Sequence, residues 1–338
     1  MFDHFFGNRA AQETLEQMLA SGRIPQTILL SGPEGVGKAT LARRFAARLI
    51  GGADRIERDD LSLPDNVNYI AEREKWPADH RNEDPLMFAS HPDFVTFPPD
   101  GPLRQITIQQ MRALKELAQY RPLKGERRVF LIDQLDRANE QAANSLLKTL
   151  EEPPDHLVLF ATAANPYDLL ATIRSRSVMI HLAPLGVEEM REFVRARGLD
   201  EPERRVALSQ GSPGAALSID LDEYDKRREI MLAVLEAAAR VEPFAAWARQ
   251  AEAPANRAEK LEPLLRVLYD LLEDVLVMQN GGANVRNADI AERLAALASR
   301  VSFDWVRRAV ARADELAQLA RRNIQKNIAL DAMVAALR

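Results

Sequence analysis

A short apolar run, Thr27-Ile28-Leu29-Leu30, leads at once into Gly32-Pro33-Glu34-Gly35-Val36-Gly37-Lys38 and then into a helical stretch from Ala39 to Ile50. No other feature of the chain restricts its fold as strongly. Four apolar residues bounded by turn signals read as a strand buried on both faces. A glycine turn joining such a strand to a helix commits the region to an α/β layer. The spacing Gly32-x4-Gly37-Lys38 is that of a phosphate loop, in which backbone N–H groups and the helix N-terminus cradle a phosphate and the lysine adds a point charge. Gly32, Gly35, Gly37, Lys38, Ala39 and Thr40 are therefore the candidate nucleotide-binding residues. The last position of the pattern departs from it. A Ser or Thr hydroxyl there would ligate Mg²⁺, and the Ala39 methyl cannot. Thr40 follows, but it is turned by about 100° around the helix and substitutes poorly. Metal positioning is weakened, and whether ATP binds stays open.

The alternation of strand and helix continues downstream. Val129-Phe130-Leu131-Ile132 reads as a second buried strand, ended by Asp133; after a phosphate loop, an aspartate in this position supports Mg²⁺. Strands are expected at Leu157–Thr162 and Val178–Leu182, with helices over 10–21, 108–120 and 139–151, the last stopped by Pro153-Pro154. Residues 51–103 are polar, proline-containing and aperiodic apart from Phe94-Val95-Thr96-Phe97, and they read as an irregular insertion. Beyond Pro184 the strand signal ends. Short helices are expected over 187–220, broken at Gly198 and at Gly211-Ser212-Pro213-Gly214. From 221 onward the helices are long and amphipathic, with Leu261, Leu264, Leu265, Leu268, Leu271, Val275 and Met278 at helical spacing. Leu271, Leu272, Val275 and Leu276 lie on adjacent faces of that helix, which predicts apolar surface left over for subunit contacts. The expected fold is an α/β P-loop domain with a parallel sheet over 1–183, a helical lid over 184–220 and an all-α C-terminal domain over 221–338.

Composition narrows the function. The 338 residues carry 45 basic and 50 acidic side chains, a net charge of −5, which argues against a wholesale polyanion coat. The cluster Arg121, Lys124, Arg127 and Arg128 reads equally well as a solvated loop and as a nucleic-acid contact. There is no cysteine, so disulfides and thiolate metal sites are excluded. The start Met1-Phe2-Asp3-His4-Phe5-Phe6 lacks the pattern of a signal peptide, and no apolar run is long enough to span a membrane, so a cytoplasmic protein is expected.

Several stretches together resemble the clamp-loader branch of AAA+ proteins. They are Phe6-Gly7-Asn8 with Gly22-Arg23-Ile24-Pro25, then Asn144-Ser145-Leu146-Leu147-Lys148-Thr149-Leu150-Glu151-Glu152-Pro153-Pro154. Thr172-Ile173-Arg174-Ser175-Arg176-Ser177 is similar to the family's Ser-Arg-Cys motif, with serine for the cysteine, and Asn327-Ile328-Ala329-Leu330-Asp331 is similar to its final collar helix. The likeness covers nearly the whole chain apart from 51–103. It implies an AAA+ fold with lid and oligomerising collar, and a place in a DNA polymerase III clamp loader. The implied partners are gamma/tau-type motor subunits and a delta-type clamp-opening subunit, with the sliding clamp and primed DNA reached through the complex. It also implies that Arg176 is an arginine finger directed at a neighbouring subunit's ATP site; read without the motif, Arg176 is an ordinary solvated arginine.

Other positions depart from the family's active members. Gln134 stands where they carry the glutamate that activates water, and an amide cannot take a proton. Thr162-Ala163-Ala164-Asn165 puts alanine at the sensor-1 position, and Gly211-Ser212-Pro213-Gly214 lacks the sensor-2 arginine. A finger kept and an engine lost is the pattern of the family's delta-prime type, a non-hydrolysing scaffold subunit. The alternative is an active ATPase motor subunit of the same kind of complex, with Thr40 rescuing Mg²⁺ and Gln134 tolerated. Many members carry a four-cysteine zinc module after the phosphate loop. Without cysteine, and with His80 and His91 lacking partners at ligand spacing, no zinc or other metal is expected here.

Overall fold

The structure is a computed structural model that describes residues 2, 4–242, 261–282, 285–320 and 326–338. Residues 1–197 with 210–215 pack as one compact unit, and 198–209 with 216–338 as another.

In the first unit, β1 (Thr27–Ser31), β2 (Phe88–His91), β3 (Phe94–Phe97), β4 (Arg128–Ile132), β5 (Leu157–Ala163) and β6 (Val178–His181) form one six-stranded sheet. The order across it is β2-β3-β4-β5-β1-β6, and all neighbours run parallel except β2 against β3. β1, β3, β4 and β5 are buried along their whole length. Their alternate residues feed two cores, as a sheet covered on both faces requires. Leu29, Phe97, Phe130 and Leu159 pack with α6 (Ile108–Ala118) and α7 (Glu140–Glu151). Ile28, Leu30, Phe94, Val129 and Phe160 pack with α1 (Arg9–Ser21) and α2 (Lys38–Ile50).

The irregular insertion expected over 51–103 is instead ordered. It contains α3 (Ala53–Ile56), α4 (Pro64–Arg73), α5 (Ala78–Glu83), the edge strand β2 and the interior strand β3. Each short element buries only one or a few apolar residues, such as Ile56, Ile70 and Leu86, and ion pairs around the buried Arg43 and Arg73 link the elements. Arg43 on α2 donates to Glu57 at 3.1 Å and also pairs with Asp60. Asp59 accepts the Ser90 N–H at 3.1 Å. Arg73, wholly buried, reaches Asp100 at 2.9 Å and Asp84 at 3.1 Å. Its guanidinium lies 4.6 Å from the Trp76 ring centre, and His80 stacks on that ring at 4.3 Å.

The first unit continues through α8 (Ala171–Arg174) and α9 (Val187–Ala196). The stretch expected as a lid, 184–220, holds α9, α10 (Pro202–Ser209) and α11 (Pro213–Ser218) and is shared between the two units.

The second unit is helical: α12 (Leu221–Ala238), α13 (Leu261–Gln279), α14 (Ala291–Arg300), α15 (Phe303–Ala320) and α16 (Lys326–Leu337). Asn327–Asp331 falls in α16. Leu261, Leu264, Leu265, Leu268, Leu271 and Val275 form the buried stripe of α13. The apolar surface expected to be left over on that helix is mostly used within the unit: Leu271, Leu272 and Val275 are buried, Leu276 is half-buried against the same core, and α12 and α15 pack on α13. No helix among the described residues is long and apolar enough to cross a membrane.

A polar cluster pins the chain after α13. Buried Asp274 accepts the N–H groups of Arg286 and Asn287 at 2.8 and 3.0 Å, and Arg286 donates to Asp270 at 2.6 Å. Burial pushes the Asp270 carboxyl up to about 6; Arg286 opposes this, while Asp274 and Glu273 add to it. An acid whose folded pKa exceeds its unfolded value of about 4 is most stabilising when protonated, so its contribution is lost as pH rises through that window. Wild type is therefore expected to lose up to about 3 kcal/mol relative to Asp270→Asn between pH 4 and pH 7. Urea denaturation of both proteins across that range measures it, and parallel curves would refute it.

Candidate functional site

The glycine loop expected to cradle a phosphate leaves the carboxyl end of β1 and opens α2, as the sequence predicts. Gly32 has φ +140°, and a Cβ there would stand 2.0 Å from the Leu182 carbonyl oxygen, so only glycine fits beside β6. Lys38 is buried, with its ammonium turned back onto the loop's own carbonyls: Gly32 O at 2.5 Å and Pro33 O at 2.7 Å. Burial lowers its pKa, against the pull of Asp133, Asp136 and Glu34. Ala39 and Thr40 are half-buried in the first turn of α2, and Ala39 packs against the core.

Asp133 directly follows β4, whose register with β5, ending at Ile132 opposite Ala161, carries it beside Thr162. The Thr162 hydroxyl donates to Asp133 at 2.6 Å and accepts the Gln134 N–H at 2.8 Å. Burial raises the pKa of Asp133, partly offset by the Thr162 bond and by Lys38 and Arg43. Gln134 follows with a left-handed backbone, φ 56°. Asp136 accepts the Ala164 N–H at 2.8 Å. This donor set does not fit Mg²⁺. Ala39 offers a methyl group, and Oδ1 of the Asp133 carboxylate is already engaged by the Thr162 hydroxyl of β5.

The segment expected at the sensor-2 position lies against the loop. Gly214 N–H donates to Gly35 O at 2.9 Å, and the Ser212 hydroxyl donates to Glu34 O at 3.1 Å. A Cβ on Gly35 would come within 2.2 Å of the Ser212 oxygen, so the glycine is what lets the segment settle. Arg137 adds an ion pair to Glu34 at 3.1 Å.

Arg176 follows α8 and precedes β6. Its Nη1 donates to Thr172 O and its Nη2 to Glu151 Oε1, both at 3.1 Å, and its side chain remains 36 % exposed. The structure thus brings Gly32, Gly35, Gly37, Lys38 and Ala39 together at one end of β1, with Asp133 within electrostatic reach of Lys38. Arg176 belongs to a separate surface, where Arg174 covers the exposed Tyr167 at 5.1 Å.

Sequence reasoning passed over Thr162 as a partner of Asp133, Ser212 as a contact of the loop, and Glu151 as a partner of Arg176. A polar residue inside an apolar strand was the available signal for Thr162. The basic cluster at the start of β4 is also clarified. Arg128 is buried and donates to Leu117 O at 2.6 Å and to Pro92 O at 3.2 Å, so it is part of the scaffold.

The family described as DNA polymerase III, delta subunit matches residues 7–186. DNA polymerase III subunit delta' of Escherichia coli is 31 % identical over 220 residues, 64 % of this chain and 64 % of that protein. The delta' subunit of Pseudomonas aeruginosa is 32 % identical over 189 residues, 55 % of this chain and 52 % of that protein. The tau subunit of E. coli is 30 % identical over 190 residues, 56 % of this chain and 26 % of that protein. The matched stretches span less than two thirds of these relatives' own lengths. A gamma-subunit-related protein of Thermotoga maritima is 18 % identical, with 96 % of this chain and 98 % of that one covered at a TM-score of 0.47.

Proposed function

This chain belongs to the DNA polymerase III delta-subunit family, and from that premise we propose that it is a delta-prime-type, non-hydrolysing scaffold of a bacterial clamp loader. In this reading it joins gamma/tau-type motor subunits and a delta-type subunit, and it serves the loading of a sliding clamp onto primed DNA in the cytoplasm. Its own phosphate loop is degenerate, and Arg176 is offered to a neighbour's ATP site. The collar over 221–338 is the part assigned to ring assembly, and the stretch over 184–220 is the lid.

The observation that carries the reading is Gln134, which stands beside the buried Asp133 at the end of β4 where a general base is needed. A positioned base is worth about 10²–10⁴-fold, or about 3–5 kcal/mol of barrier. An amide supplies none of it. Ala39 and Gly214 remove two further contacts, one to metal and one to phosphate.

The purified chain is accordingly expected to hydrolyse ATP negligibly in a steady-state assay. Turnover near about 1 s⁻¹, within the ordinary enzyme range, that disappears in Lys38→Ala would instead establish the active motor reading.

A further inference from the structure

The geometry points to Glu151 as the residue that positions Arg176 for its neighbour. This inference rests on the finger reading of Arg176 and adds to it a second side chain.

Glu151 is the last residue of α7. Leu146, Thr149 and Leu150 are buried and set how the helix is rolled, while Pro153 and Pro154 forbid another turn. The side chain therefore leaves the helix end toward α8. A carboxylate in the last turn of a helix opposes the macrodipole, whose negative end lies there. Glu152 beside it adds a second negative charge. A guanidinium next to Glu151 offsets both effects, and Arg176 supplies it at 3.1 Å.

Two contacts hold that guanidinium: Glu151 takes Nη2 and the Thr172 carbonyl takes Nη1. Arginine carries five N–H groups in a planar fork. With one hydrogen of each terminal nitrogen engaged, the others stay available for phosphate oxygens, and the side chain is still 36 % exposed. Long side chains lose about 2 kcal/mol of rotamer freedom when they are ordered. A finger already ordered by Glu151 meets part of that cost before the neighbour arrives, and the benefit appears in the transition state. Glu151, half exposed itself, is not a catalytic residue; it acts through Arg176.

The test uses the complex reconstituted from this chain with its gamma/tau-type and delta-type partners, DNA and clamp. Its readout is the Arg176-dependent part of the ATPase rate, wild type minus Arg176→Ala. Glu151→Ala is expected to lower that part about two- to five-fold, the range of an exposed ion pair. The KM for ATP should stay unchanged, and so should assembly by size-exclusion chromatography. Glu151→Gln, which keeps an acceptor oxygen and the side-chain shape, should fall between the two. In the Arg176→Ala background, Glu151→Ala should cost nothing further. A wild-type rate in both Glu151 variants, with Arg176→Ala slow, overturns this inference and leaves the finger standing. Equal losses in both backgrounds overturn it as well, since Glu151 would then act elsewhere. A wild-type rate in Arg176→Ala removes the finger reading itself. If the alanine variant fails to assemble, the glutamine variant gives the same comparison.

Discussion

Arg176→Ala is expected to leave the assembled complex intact while lowering its ATP hydrolysis, and clamp loading with it. A guanidinium supplied in trans is worth about 10³–10⁵-fold at the site that it serves. That site should fall nearly silent while the others continue, so the total rate drops partially rather than to zero. Arg176→Lys should be almost as damaging, because an ammonium cannot reproduce the planar two-pronged contact to phosphate oxygens. An ordinary surface arginine would behave differently: stability within about 0.5 kcal/mol of wild type and an unchanged rate. Steady-state ATPase of the complex with DNA and clamp separates the two outcomes. Wild-type activity in the alanine variant would take away the finger role and, with it, much of the case for a delta-prime-type assignment.

The largest effect on stability is expected at Arg73. Arg73→Met removes the cation that joins α4 to Asp84 and Asp100, and Asp100 is only 3 % exposed at its side chain. Gly101 N–H still donates to Asp100 at 2.8 Å, but one backbone bond does not replace a guanidinium fork. Breaking a buried pair by removing one partner costs about 3–5 kcal/mol, because the remaining charge stays dehydrated. Trp76, whose ring lies against the Arg73 guanidinium, reports the transition by fluorescence in urea. A loss below about 1 kcal/mol, the size of an average point substitution, would mean that apolar contacts rather than these charges hold the insertion.

The insertion and the glycine loop after β1 show how much of the molecule could be read before any fold was in view. β1, β4 and β5 were legible because a strand buried on both faces must be apolar at consecutive positions, and that constraint is local. The end of α7 was legible because proline cannot continue a helix. The buried stripe of α13 was legible because its leucines repeat every three to four residues. Ala39, Gln134 and Gly214 could be recognised as departures because each replaces a functional group at a fixed offset from a motif.

Pairings across long stretches of chain were not legible. Arg73 meets Asp100 across 27 residues, Thr162 meets Asp133 across 29, and Ser212 meets Glu34 across 178. Arg176 finds Glu151 across 25. Charged and hydroxyl side chains carry no period that marks a partner. An isolated Arg, Asp or Ser looks the same in sequence whether it is solvated or buried against its complement. Periodicity states which residues leave water, because burial of apolar surface depends on each residue's own chemistry. A hydrogen bond or ion pair depends on two positions at once, and strand order and helix packing are what bring those positions to about 3 Å from each other.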